Sequence, residues 1–327
     1  MMKCDKYECL KVIGEGAYSR VYIANDTTTN SKCALKILKF NCEESEESLN
    51  EAKMLEDIQH DSIVTMLDYA EEAKLAKENK VKKVSYVAYE LAEKGSLYDY
   101  VSNTGRFEEC YARLIFSQVL EAIEYLHLHG ISHRDIKTEN IVLDSEFNSK
   151  LCDFGFATKK IKCDTFRGTE AYMAPEIHQE NGYNGLSTDV FALGVLLFIL
   201  VVGKFPFIGS SQNDCHYKLI TTNKLNLFWR TRVRDKKLNS SLSNEFKQLV
   251  ESMLASNAID RPSLSEIRKS DWLNQKLISK SEFEKEFIRR EEVLVSKNNI
   301  SLKIAKFLNL LILFKTKALI GFRIYLH

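Results

Sequence analysis

The sequence predicts an α+β protein, with a small and mostly antiparallel β region followed by a larger and mainly helical one. Three observations carry this expectation. Residues 7–40 fall into short β-branched and aromatic stretches broken by turns. From Leu97 onward the apolar residues recur at helical spacing. Between the two lies one amphipathic stretch, 48–58, in which Leu49, Ala52, Leu55 and Ile58 are three or four residues apart. A chain of 327 residues is long enough for two such units, each with its own core.

In order, strands are expected over Tyr7 to Ile13, Arg20 to Ala24 and Cys33 to Leu38, with the turn Gly14-Glu15-Gly16-Ala17-Tyr18-Ser19 between the first two. Such a glycine turn is either a plain hairpin or a place where backbone amides approach a phosphate. A dinucleotide fold would need a helix directly after the glycines, and Val21-Tyr22-Ile23-Ala24 is strand-like instead. Lys36 lies within the third strand; there a lysine either snorkels at an edge or points inward to meet an anion. The acidic run Glu43 to Glu47 suits the N-terminus of the helix at 48–58, or a solvated face. Ile63 to Tyr69 and Val84 to Tyr89 are two further strand candidates, and Glu71 to Lys83 between them is charged and helix-prone. Ala112, Ile115, Phe116, Val119, Ile123 and Leu126 form one apolar stripe that stops at His129-Gly130. The apolar run from Ser187 to Val202, bounded by Asp189 and Lys204, reads as a buried core helix rather than a membrane span.

The chemistry is concentrated in His133-Arg134-Asp135-Ile136-Lys137-Thr138-Glu139-Asn140 and the later Asp153-Phe154-Gly155. Asp135 is a candidate general base, Asn140 and Asp153 offer hard oxygen ligands suited to Mg²⁺, and Lys137 offers a point charge for a phosphate. That inventory suits phosphoryl transfer, in which a protein mainly positions groups and neutralises charge.

The two stretches resemble the H-R-D-x-K-x-x-N catalytic loop and the D-F-G of eukaryotic protein kinases. Further motifs follow in the family's order. The glycine turn is similar to G-x-G-x-x-G-x-V, with Ser19 at its third glycine, and Cys33-Ala34-Leu35-Lys36 is similar to V-A-I-K. Tyr89-Glu90-Leu91-Ala92 resembles the hinge, and Ala174-Pro175-Glu176 is the family's A-P-E. The resemblance covers residues 7–273 and implies a bilobal protein kinase fold, with an N-lobe of about 7–90 and a C-lobe of about 91–273.

It also implies roles. Asp135 would orient the accepting hydroxyl, Lys137 would steady the γ-phosphate, and Asn140 and Asp153 would hold Mg²⁺, with Mn²⁺ as a substitute. Lys36 would hold the α- and β-phosphates and pair with Glu51. ATP would contact Ile13, Gly14, Glu15, Gly16, Ala17, Val21, Ala34, Lys36, Tyr89, Glu90, Ala92 and Leu143, with Tyr89 as gatekeeper. Residues 156–174 would form an activation segment, in which a phosphate on Thr165 would meet Arg134, with Lys159 or Lys160. Asp189 would brace the catalytic loop, and Arg261 would pair with Glu176. Lys137, Gly168-Thr169 and Phe205-Pro206-Phe207 are similar to serine/threonine kinases of the calcium/calmodulin-dependent and AMP-activated-type branch. A pseudokinase or scaffold is the alternative. Its usual signature is loss of the strand lysine, the base or the metal aspartate, and all three are present.

Apolar content of 45%, charged content of 28% and a net charge of +1 are those of an ordinary globular protein and give no case for a nucleic-acid partner. Eight cysteines without a Cys-x-x-Cys pair, and no signal-peptide pattern, point to a reducing, cytoplasmic setting. Protein substrates are the expected partners. Residues 274–327 lie outside the resemblance and become basic and apolar, with Lys297, Lys303, Lys306, Lys315, Lys317 and Arg323 and no acid after Glu292. Packing on the larger lobe and contact with calmodulin or a membrane both remain open for this tail.

Overall fold

The computed structural model describes residues 2–15, 19–39, 52–78, 80–179, 182–211 and 213–297. Six antiparallel strands open the chain: β1 (Met2–Cys4), β2 (Tyr7–Glu15), β3 (Ser19–Asp26), β4 (Ser31–Lys39), β5 (Met66–Lys77) and β6 (Lys80–Glu90). They close into a barrel of order β1-β2-β3-β4-β6-β5, because β1 pairs with both β2 and β5. Side chains alternate with a period of two, so one set fills the barrel and the other faces away. Tyr7, Tyr22, Cys33, Leu35, Ile37 and Tyr86 belong to the inner set. Leu38 and Val87, on the other face, pack with Ala52 and against Tyr89.

The stretch Glu71 to Lys83 is strand, not helix. It is the distal half of the β5–β6 hairpin, which turns at Glu78 with φ of 55°. Glutamate, alanine and lysine favour helix, but the preference is a fraction of a kcal/mol per residue. Here it is outweighed by the ladder that residues 73–77 form with β6, to which residues 75–77 add a second ladder with β1. β5 also starts at Met66 rather than at Ile63, whose only strand pairing is a single parallel bridge to Leu151.

A polar knot ties this barrel together. Asp68 accepts hydrogen bonds from the Tyr7 and Tyr86 hydroxyls, both at 3.0 Å, and lies 3.0 Å from Lys6 Nζ. Burial pushes its carboxyl up, but the bonds from Lys6, Tyr7 and Tyr86 outweigh burial and hold it below the ordinary carboxylate value. A depressed folded-state pKa gives stability that is present above the unfolded value, about 3.9, and lost as pH falls through the folded one. Asp68→Asn should therefore be less stable than the parent at pH 7, with the gap closing in acid; denaturant titrations at several pH values read it.

The rest of the chain is mainly helical. A short sheet of β7 (Gly95–Ser96), β8 (Ile141–Leu143) and β9 (Ser149–Leu151) sits beside α1 (Leu97–Thr104) and α2 (Glu109–Leu128). α3 (Gly185–Val202) is the centre: all of its residues except Leu186 and Ser187 are buried, as expected of a core helix. Asn184 caps its start, accepting the Leu186 N–H at 2.9 Å, and Gly203 ends it in the left-handed region with φ of 79°. Gly194 lets the helix Asn244–Met253 come close, since a Cβ there would stand 2.9 Å from that of Met253.

Residues 280–297 form a further helix that packs on this lobe. Phe287 is fully buried among Tyr100, Phe107 and Phe147, with ring centroids 5.2–5.4 Å away. Arg290 closes the end of α1, donating to Thr104 Oγ1, Gly105 O and Arg106 O at 2.6–2.8 Å while its guanidinium lies over Phe107. The first part of the tail therefore belongs to the larger lobe. The cations from Lys303 to Arg323 lie outside the described residues.

Candidate active site

The loop 133–140 is shaped from below by α3. Asp189, in the first turns of that helix and 1% exposed, accepts the His133 and Arg134 N–H groups at 2.8 Å each. His127, from the last turn of α2, meets the same carboxylate at 2.9 Å. These contacts hold Arg134 in the left-handed region, φ 64°, which an arginine seldom adopts unaided. His133 then ties the loop to the next strand. Its Nδ1 accepts the Asp135 N–H at 3.2 Å, and its Nε2 faces the Cys152 carbonyl at 3.3 Å, partners that assign the proton to Nε2. The buried Phe154 ring meets the His133 ring edge-on at 5.0 Å.

Asp135 lies at the meeting point of three donors. Lys137 Nζ at 2.7 Å and Asn140 Nδ2 at 2.9 Å donate to Oδ2, and the Thr169 hydroxyl donates to Oδ1 at 2.9 Å. Lys137 also reaches the Thr169 hydroxyl at 2.8 Å. Thr169 was not expected as a site residue; its only sequence signal is its place after Gly168. Asn140 Nδ2 also bonds to the Asp135 carbonyl at 2.9 Å, so its amide is oriented with nitrogen inward and the oxygen is left as the ligand atom.

Asp153 has φ of 60° and a half-exposed carboxylate, its other half within the cleft, 3.5 Å from Lys36 Nζ. Burial pushes that carboxyl up, but Lys36, His133, Lys137 and the Gly155 N–H outweigh it and hold it below the ordinary range. An ionised carboxylate and an amide oxygen are hard donors of the kind Mg²⁺ takes, so the residues fit that ion.

The nucleotide-side residues share one face of the barrel. Strand pairing sets Gly14 opposite Val21, Val21 opposite Lys36 and Ala34 opposite Tyr89. Ile13 and Glu15 lie on β2, Ala92 just past the end of β6, and the buried Leu143 on β8. Gly16, Ala17 and Glu51 lie outside the described residues, and with them the expected Lys36–Glu51 pair. Glu90 has a part the motif did not reveal. Its carboxylate accepts the Thr65 N–H and Lys150 Nζ, both at 2.8 Å, which fastens the end of β6 to β9 of the larger lobe.

On the opposite side, Arg134 Nη1 donates to the Thr165 hydroxyl at 3.2 Å and Nε to the Phe156 carbonyl at 2.6 Å. Tyr183, not expected either, donates to the Thr165 carbonyl at 2.8 Å. Lys159 and Lys160 are exposed. Glu176 and Arg261 form a two-pronged pair at 2.6 and 2.7 Å. Tyr172 accepts the Thr138 N–H at 3.3 Å and so joins the segment to the catalytic loop.

This arrangement can receive a hydroxyl at Asp135, a cation between Asn140 and Asp153, and phosphates at Lys36 and Lys137. Comparison with known proteins agrees with that chemistry. The chain is 32% identical over 292 residues to CBL-interacting protein kinase 32 of Oryza sativa subsp. japonica, covering 87% of this chain and 62% of that one. It is 30% identical over 283 residues to CBL-interacting serine/threonine-protein kinase 9 of Arabidopsis thaliana, covering 84% of this chain and 59% of the other. The chain thus spans about three-fifths of the length of these curated relatives. The family described as protein kinase domain matches residues 7–273, and the chain belongs to the protein kinase family, beside relatives of the serine/threonine type.

Proposed function

We propose that this protein is an ATP-dependent serine/threonine kinase that transfers the γ-phosphate to hydroxyls of protein substrates. The observation that carries this reading is the triangle of Asp135, Lys137 and Thr169 beside the Asn140–Asp153 oxygens. Asp135 accepts hydrogen bonds, as a group must that orients a substrate hydroxyl and takes its proton. Lys137 neutralises charge on the transferred group, and Lys36 on the two phosphates behind it. Mg²⁺, held by Asn140 and Asp153, would supply further charge neutralisation. The adenine would lie between Ala34 and Leu143, against the hinge residues Glu90 and Ala92 and in front of Tyr89. Residues 7–273 would carry all of this. Lys36, Asp135 and Asp153 are all in place, so nothing favours a scaffold without chemistry.

The test is phosphorylation of an arrayed peptide library by the whole chain. Lys36→Met should lower the rate at least about 100-fold, roughly the worth of a charged contact made in the transition state. A parental rate in that variant would remove the role given to Lys36.

Control is assigned to the activation segment. A phosphate on Thr165 would meet Arg134, which already touches its hydroxyl. Thr165→Ala should cost about tenfold in kcat/KM, the equivalent of one charge-assisted bond, once the parent has been phosphorylated. Equal rates for the two proteins after treatment with an activating kinase would exclude this control.

The relatives' names refer to interaction with CBL proteins. For this chain the candidate contact is the basic apolar stretch 303–323, which has the composition of a calmodulin target or of a segment that lies on an anionic membrane. Retention on calmodulin beads only with calcium, or co-sedimentation with anionic vesicles, would support it; neither occurring would remove it. A cytoplasmic location is part of the same proposal, and imaging of a tagged chain checks it.

A further inference from the structure

Beyond the catalytic loop, the segment 204–209 runs beside the face on which a substrate would lie. Phe205 meets the Tyr172 ring edge-on at 5.4 Å, and Tyr172 is bonded to the backbone of Thr138, three residues after Asp135. At the segment's far end, a methyl group on Gly209 would lie 3.8 Å from Glu170 Oε1. Ile208 is 85% exposed and Phe205 37%.

Three cations lie along this segment: Lys204 at its start, Arg232 at the end of the helix Leu225–Arg232, and Arg234 two residues later, with both arginines close enough to act on the Lys204 ammonium. Arg232 is anchored there by donating from Nε to the Phe205 carbonyl. The nearby acid is already committed to backbone. Asp214 accepts the Ile208 N–H with Oδ2 at 3.0 Å and the His216 and Tyr217 N–H groups with Oδ1 at 2.8 Å each. Asp235 likewise accepts the Lys237 and Leu238 N–H groups. Among the described residues, no ion pair joins Lys204, Arg232 or Arg234 to a carboxylate.

Like charges gathered in this way repel one another, and Lys204 feels the repulsion. Burial and then Arg232 and Arg234 pull the Lys204 ammonium pKa down. Burial does the same to Arg232, where the attraction of Asp214 exceeds the repulsion of Arg234. His216, beside them, is also pulled down by burial and then by Arg232, which favours its neutral form. An anion brought by another molecule would relieve this repulsion, and a guanidinium already held in place loses little freedom on meeting it.

We propose that Lys204, Arg232 and Arg234 form a subsite for one anionic residue, carboxylate or phosphate, in the protein segment that is phosphorylated. This rests on the kinase reading and adds to it a substrate preference. Glu139 and Glu170, the acids on the catalytic-loop side, would set the opposite preference at their own positions, so the anion is wanted locally and not throughout the peptide.

The test uses the whole chain and labelled serine peptides in which a single Asp, phosphoserine, Ala or Lys is scanned across the flanking positions, with binding read by fluorescence anisotropy and transfer read separately. At one flanking position, Asp or phosphoserine should bind about tenfold tighter than Ala. Phosphoserine exceeding Asp there assigns a phosphate, and equality assigns a carboxylate. In the double variant K204A/R234A, neither of whose residues belongs to the catalytic machinery, that preference should vanish while the Ala peptide binds as before. In K204E/R234E it should turn toward Lys. Absence of any position at which an anion helps, or a preference that survives in K204A/R234A, would overturn the proposal. Anion-preferring binding without transfer to any peptide would instead count against the kinase reading alone.

Discussion

Replacing Asp135 by Asn is expected to lower kcat by about 10²–10⁴, the usual worth of a positioned general base. The change is nearly isosteric, so its effect reads chemistry more than packing. In the parent, one carboxylate accepts from Lys137, Asn140 and Thr169 at 2.7–2.9 Å. An amide offers only one acceptor oxygen to these donors, and it cannot take a proton from a substrate hydroxyl. KM for ATP should change little, because the nucleotide-side residues lie on other strands. Steady-state kinetics give the factor, and urea titration of the same protein shows that the fold is retained.

The largest loss of stability is expected at Arg261→Ala. Its guanidinium is 1% exposed, binds Glu176 with two prongs, donates to Ser187 O and Ala255 O at 2.9 Å, and lies over the Phe191 ring at 5.0 Å. Removing it leaves a largely buried carboxylate without its cation, which costs about 3–5 kcal/mol. Replacing both partners by apolar residues of similar size should recover much of that, since neither charge then has to be kept out of water. Chemical denaturation of Arg261→Ala, Glu176→Ala and R261A/E176A measures the coupling, and R261M/E176L measures the apolar replacement. A loss in the double alanine variant equal to the sum of the two single losses would show the pair to contribute nothing of its own.

The catalytic centre was legible because its chemistry fixes residue types at short spacing. Asp135, Lys137 and Asn140 lie within six residues, and the structure brings them to one carboxylate. The pair of Glu176 with Arg261 and the brace at Asp189 were legible only through the family resemblance, since their partners are distant in sequence. What stayed hidden depends on long-range contacts with no motif. Glu90 finds Lys150 60 residues away, and Arg290 finds Thr104 186 residues away. The β5–β6 hairpin was misread for a related reason. Its composition favours helix locally, while the ladder with β1 that helps to override this preference is invisible in a local window. Thr169 was read only as part of a pattern, because a threonine hydroxyl carries no charge to mark it.

The most direct measurement is phosphoamino-acid analysis of a peptide mixture incubated with the whole chain, Mg²⁺ and γ-labelled ATP, beside Asp135→Asn. Phosphoserine and phosphothreonine should form with the parent and fall to about 1% or less of that level with the variant. ATP binding by both proteins, with label transfer by the parent no greater than by Asp135→Asn, would contradict phosphotransfer at this site.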